Sequence, residues 1–296
     1  MRWWVTQDDI RRNAAWLACL AVLSAACDSP ASRVLGLPPR ATEALGGEDL
    51  AWELGELDLE ARERRIYEEI AAGNVPTWMR DLRPVRIRAP LDGAEHELLF
   101  WVTPDYLSIG SDDDYLLVPL SPGTAQRVAD LVGASLPTPR MVDAIWMAAD
   151  RRLSPQRLAP RRSIESVRSV EYYARHTSVI LAQRMLKGTP PGAFVAGHKK
   201  DVVLSPEIEA NPGKVAVYGM HAPDGTPTQN LSTVAEEGFV YYNHGVRLVD
   251  REVVVDGVTR DLAELLLDPG LAPLVSRAGA LARAGYPVAP EVVGQD

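Results

Sequence analysis

The residues best equipped for chemistry lie between Gly197 and Val249. That stretch holds three of the five histidines, His198, His221 and His244, in the segments AGHKKDVV, VYGMHAPDG and YYNHGVRLV. Neutral imidazole is the commonest metal ligand and, near neutral pH, the commonest general base. Two chemistries are open to this set. His198, Asp201, His221 and His244 could ligate a divalent metal such as zinc and leave one position free for substrate. Alternatively His244 is the base within a metal-free catalytic set of His198, Asp201, His221 and His244. Lys199, Tyr242, Asn243 and Arg247 then contact the substrate, with Arg247 or Lys199 holding a carboxylate or another anionic group. Taken singly, each histidine could also just cap a strand end and satisfy a buried carbonyl.

The elements that must position these groups are short apolar runs: DVVLS, KVAVYGM, GFVYY, VRLV and REVVV. Each histidine ends one such run or lies between two. If the runs are neighbouring strands, their ends meet at one rim, and His198, Asp201, His221, His244 and Arg247 converge on one pocket. Upstream, Asp58 caps a helix closed by Gly73. VRIRA and ELLFWV form a hairpin at Asp92-Gly93, preceded by a loop between Pro76 and Pro84, and DYLSIGSDDDYLLVPL forms a second strand pair. Ser121-Pro122 and Thr138-Pro139 each start a helix with a capping hydroxyl and a first-turn proline. A long helix runs from about Ser166 to Lys187, Asp256-Gly257 marks a hairpin, and short helices cover Asp261 to Leu267 and Leu271 to Arg283. The expected fold class is α+β, a mixed and mainly antiparallel sheet with several helices packed on it.

Other chemistries are set aside by what the chain lacks. There is no P-loop, no GxGxxG after a strand, no GxSxG elbow and no HExxH. Asp112, Asp113 and Asp114 are consecutive, whereas calcium loops alternate their carboxylates. His96 and His176 read as structural or surface residues. A formal net charge of -9 gives no general attraction to nucleic acid. Both cysteines, Cys19 and Cys27, precede the body, which therefore has no thiol nucleophile, disulfide or thiolate metal site.

Residues 14–26, AAWLACLAVLSAA, follow Arg11 and Arg12 and close on small residues, the order of a signal peptide. The division expected is a signal peptide at 1–26, a flexible tether at 27–50 and a single α+β domain at 51–296. A sub-boundary or a mobile loop over the site is placed near 153–163. LSAAC resembles a lipobox, which implies lipid attachment at Cys27 and an exported protein, either anchored at the cell envelope or secreted.

NHGVRL, preceded by a histidine in GMH, resembles the L,D-transpeptidases of bacterial cell walls, which carry a His and later Ser-His-Gly-Cys followed by Arg. His221, His244, Gly245 and Arg247 match. Asn243 stands for the serine, and Val246 follows Gly245 with no counterpart of the catalytic cysteine, so the transpeptidase reaction does not carry over. GNVPTWMRDL, PDYLSIGSDDDY, LPTPRMVDAIW, GHKKDVVLS and NHGVRLV together resemble a family of exported bacterial (lipo)proteins. The expected function is an exported enzyme, a hydrolase of a cell-envelope or environmental polymer using histidine acid/base or metal-assisted chemistry. Its alternatives are a non-catalytic envelope lipoprotein that binds a glycan or peptide, and a degenerate transpeptidase-like protein.

Overall fold

The computed structural model describes residues 30–159 and 164–288. The segment 1–26 expected as a signal peptide, Cys27 and part of the 153–163 connector lie outside the described residues. Met1–Ala31 and Ser32–Asp296 are separate units, and the fold below is that of the second.

The helices begin where the capping chemistry dictates. They are α1 (Gly47–Gly55), α2 (Leu59–Ala71), α3 (Pro122–Leu131), α4 (Pro139–Ala148) and α5 (Val170–Leu186). Side-chain oxygens of Asp58, Ser121 and Thr138 accept from the backbone N–H three residues on, which satisfies one orphan donor at each helix start. Among the described residues no helix is long and apolar enough to cross a membrane.

The fold is α+β, with mostly antiparallel sheets. Strands β1 (Asp81–Leu91) and β2 (Ala94–Val102) form a long hairpin. Its turn residues Asp92 and Gly93 both have positive φ, as a tight two-residue connection requires. Beyond β2 the sheet continues through Val249–Asp250 to Ala134–Ser135, and through Glu252–Val255 to Val258–Asp261. A second sheet has the order β5 (Pro227–Ser232), β4 (Val217–His221), β3 (Lys200–Val202), β6 (His244–Gly245), in which β6 runs parallel to β3. Segments 103–107 and 246–248 join the sheets, Thr103 N–H donating to Leu248 O and Leu107 N–H to Val246 O.

Four expectations fail for identifiable reasons. The tether is structured where it is described: Arg33–Val34 pairs with β1, Arg33 stacks on Trp101 and bonds Asp250, and α1 starts at Gly47. Pro84 belongs to β1 and not to a loop; Arg33–Val34 pairs only with Asp81 and Leu82, so past them this is a strand edge where no N–H is needed. GFVYY is not a strand, because its backbone groups bond elsewhere: Tyr242 N–H donates to Val167 O, and Tyr173 Oη to Val240 O. The helix expected at 271–283 shrinks to one turn, Ala272–Leu274, and Gly279 further on takes a positive φ that no helix continues through. In the turn of DYLSIGSDDDYLLVPL, Asp112 and Asp114 accept backbone N–H bonds from Thr77 and Glu48 and so pin the start of a 3-10 turn and of α1.

Candidate functional site

The register of the second sheet brings the predicted residues to one end of it. Asp201 lies opposite Tyr218 on β4 and Gly245 on β6, and Lys200 opposite Gly219 and His244. A Cβ on Gly219 would stand 3.4 Å from both Asp201 Oδ2 and His221 Cε1, so these two side chains border the same point. The groups nevertheless sort into two sets with different work to do.

The first set is interior. Tyr106 Oη donates to Asp201 Oδ2 at 2.8 Å, and Arg247 Nε lies 3.6 Å from Asp201 Oδ1. The Arg247 guanidinium stacks on Tyr106 and donates to Thr103 O and Val195 O, which ties the end of β2 to the segment Val195–Ala196. His198 is edge-on to Tyr106 and its Nε2 lies 3.3 Å from Asp105 Oδ1; Asp105 in turn bonds Arg184. All six side chains are buried. Burial pushes the Asp201 carboxyl up to about 6 despite Arg247 and Tyr106, and the His198 imidazole down to about 4 despite Asp105. For Asp105 burial is outweighed by Arg184 and His198, which hold its carboxyl far below the usual range. Lys199 is buried, donates from Nζ to Tyr242 O at 2.7 Å, and is pushed down to about 7 by burial. Tyr242 accepts from Leu158 N–H, and Asn243 O accepts from Lys200 N–H. Lys199, Tyr242 and Arg247 are thus committed to the chain's own groups, and the substrate contacts expected of them are not what their geometry provides. His244 is buried too, beside Tyr241, with its imidazole pushed down to about 3 by burial and by Lys200 and Lys199. A base so weak is poorly matched to work near neutral pH.

The second set reaches the surface through Asp143 and Arg277, with His221 itself buried behind them. His221 ends β4 just after a bulge, and Gly219 and Met220 both have positive φ, +96° and +51°. For methionine that conformation is strained, and strain of this kind gathers at functional positions. His221 Nε2 lies 3.0 Å from Asp143 Oδ1, an oxygen that also accepts from Tyr218 Oη at 2.8 Å; Asp143 Oδ2 accepts from Arg277. The imidazole lies on Trp146, ring centroids 5.6 Å apart and 26° from parallel, while Tyr218 meets it edge-on. Burial raises the Asp143 carboxyl, but bonds from His221, Arg277 and Tyr218 outweigh it and hold the group below its ordinary value. Arg140, half-buried, is lowered by burial and by the nearby Arg277, which puts two guanidiniums close together beside this set.

Among the described residues no three His, Cys, Asp or Glu side chains gather in a way that could hold a metal ion. His198 and His221 turn to different carboxylates, Asp105 and Asp143, so the four-ligand zinc set does not assemble. The position after Gly245 is Val246, fully buried, so no nucleophile stands where a transpeptidase would carry its cysteine.

Asp143, Trp146 and Arg277 escaped the sequence reading as site residues. A signal was present, since Asp143 flanks the apolar face Val142, Ile145, Trp146 of α4, where a half-buried carboxylate needs a partner. Arg184 likewise ends the inward stripe Tyr173, Thr177, Ile180 of α5. No protein-family model, curated protein or solved structure matches the chain.

Proposed function

We propose that the chain is an exported hydrolase of a cell-envelope or environmental polymer, with His221 as its general base and Asp143 as the group that orients it. The observation that carries this reading is the His221–Asp143 pair presented by a strained, bulged strand end. With Nε2–H donating to Asp143, Nδ1 carries the lone pair. It takes a proton from water as the water oxygen attacks the scissile carbon. The imidazolium, stabilised by the ionised Asp143, then returns the proton to the leaving group as its bond breaks. Arg277 and Arg140 supply positive charge for an anionic group on the polymer. Export, and membrane attachment only through lipid on Cys27, belong to the same proposal, as does the absence of a nucleic-acid partner.

Direct water attack has a distinguishing test. Envelope polymer digested in oxygen-18 water should yield labelled product in a single turnover, with no mass added to the protein. A trapped covalent protein adduct would refute the mechanism, and no product release from any envelope polymer would refute the activity. The competing reading, a non-catalytic lipoprotein that retains a transpeptidase-like His221, His244, Gly245 and Arg247, draws on the burial of His221 at 3% exposure. It predicts that second result.

A further inference from the structure

A groove of about 650 Å³ runs between α1 and α5, closed below by Tyr115 and Leu116. That volume lies within the range of ligand sites. Ala51, Ala174 and Leu181 line its apolar walls. Glu48, Trp52 and Glu56 follow one another at four-residue spacing, so they share one face of α1 and stand along the edge of the groove.

Three features of that edge are not explained by the fold. Trp52 is 75% exposed, a large aromatic surface left in water. Glu56 caps the C-terminal end of α1, where the helix dipole disfavours a negative charge and a basic residue would stabilise the turn. Gly55 lowers helix stability, yet a Cβ there would meet nothing within 4 Å, so chain packing does not require glycine. The missing side chain leaves the end of the groove open. Counting Asp114 and Glu171, the lining carries four carboxylates and no lysine, arginine or histidine. An apolar floor under a purely acidic rim selects a ligand that is apolar and positively charged. An exposed indole between two carboxylates is a seat for a cation.

We propose that this groove binds an apolar peptide segment of a partner protein that carries lysine or arginine side chains, one of them seated on Trp52 between Glu48 and Glu56. The site is separate from His221 and does not depend on the proposed hydrolysis.

The test uses a fluorescein-labelled peptide of about a dozen alternating leucines and lysines, titrated with the purified protein and followed by anisotropy at low salt, where surface charge acts over about 30 Å. Saturable one-to-one binding is expected, weakened about tenfold or more by Glu48→Gln with Glu56→Gln, by Trp52→Ala and by Gly55→Leu. The last variant blocks the groove without touching a charge. Glu236→Gln with Glu237→Gln, which removes the same charge outside the groove, should leave affinity unchanged, and a peptide with glutamine for lysine should not bind. Equal weakening by the 236/237 pair, equal binding of the glutamine peptide, or no binding at all would overturn the proposal. So would self-association of the protein that Trp52→Ala abolishes, since the occupant would then be a second copy of this chain.

Discussion

Replacing His176 with leucine should flatten the acid sensitivity of the protein and leave its stability at neutral pH little changed. His176 is fully buried on α5, and the Gln156 backbone beside its ring makes no hydrogen bond of ordinary geometry with it. Burial, reinforced by Lys199 and His198, pushes its imidazole down to about 2. In the unfolded chain the same ring titrates at its ordinary value of about 6.5. The folded value is the depressed one, so the stabilising contribution is complete above about 6.5 and falls away below it, as the unfolded chain takes up a proton that the folded chain refuses. At about 1.4 kcal/mol per pH unit, going from about pH 7.5 to about pH 4.5 removes about 3 kcal/mol through this residue alone. His198 at about 4 and His244 at about 3 act in the same sense. Asp201, pushed up to about 6, acts in the opposite one, because the folded state then keeps a proton more readily than the unfolded state as pH falls below that value. The wild type and the variant share these other groups, so their difference isolates His176. Urea unfolding followed by tryptophan fluorescence at the two pH values should show the wild type losing about 3 kcal/mol more than His176→Leu. Equal losses would refute the claim that this imidazole is held neutral in the core.

Three further outcomes are expected, two from the same geometry and one from the sequence. A Cβ at Gly245 would overlap the Tyr106 ring that holds Asp201, so Gly245→Ala should cost about 1–3 kcal/mol in thermal unfolding. Arg247→Met leaves Asp201 a buried carboxylate with Tyr106 Oη but no cation beside it and should cost about 3–5 kcal/mol; adding Asp201→Asn should recover part of that, and strictly additive losses in a double-mutant cycle would contradict the pairing. In a bacterium with lipoprotein processing, mass spectrometry of membrane-fraction protein should find a mature chain beginning at a lipidated Cys27, and an intact Met1 terminus on cytoplasmic protein would contradict export.

The parts of the fold legible in the sequence were those set by local chemistry. Asp58, Ser121 and Thr138 name their helix starts because a capping oxygen acts over three residues. Asp92-Gly93 and Asp256-Gly257 name their hairpins because all four residues take positive φ. What escaped depends on distant partners. The GFVYY run has strand composition but lies beside α5 and the 153–159 segment, which bond its groups first. Strand β5, PTQNLS, is too polar to show a period and exists because β4 needs an edge partner. At the site, proximity in sequence drew attention to His198, Lys199, Asp201 and Arg247, whose work is to lock the interior. His221 was a candidate from its setting in the sequence, but the carboxylate it bonds arrives from α4, seventy-eight positions earlier in the chain.

The pair His221–Asp143 is the central claim, and the most direct test is the hydrolysis rate of envelope polymer measured beside the melting temperature for His221→Gln and Asp143→Asn. The account predicts that His221→Gln lowers the rate by about 100-fold or more while the protein remains folded at the assay temperature. Asp143→Asn should also lower it, because Nε2 loses the carboxylate that fixes the tautomer and stabilises the imidazolium. Rates that match the wild type in both variants, or rates that fall only in step with the fraction unfolded, would contradict it.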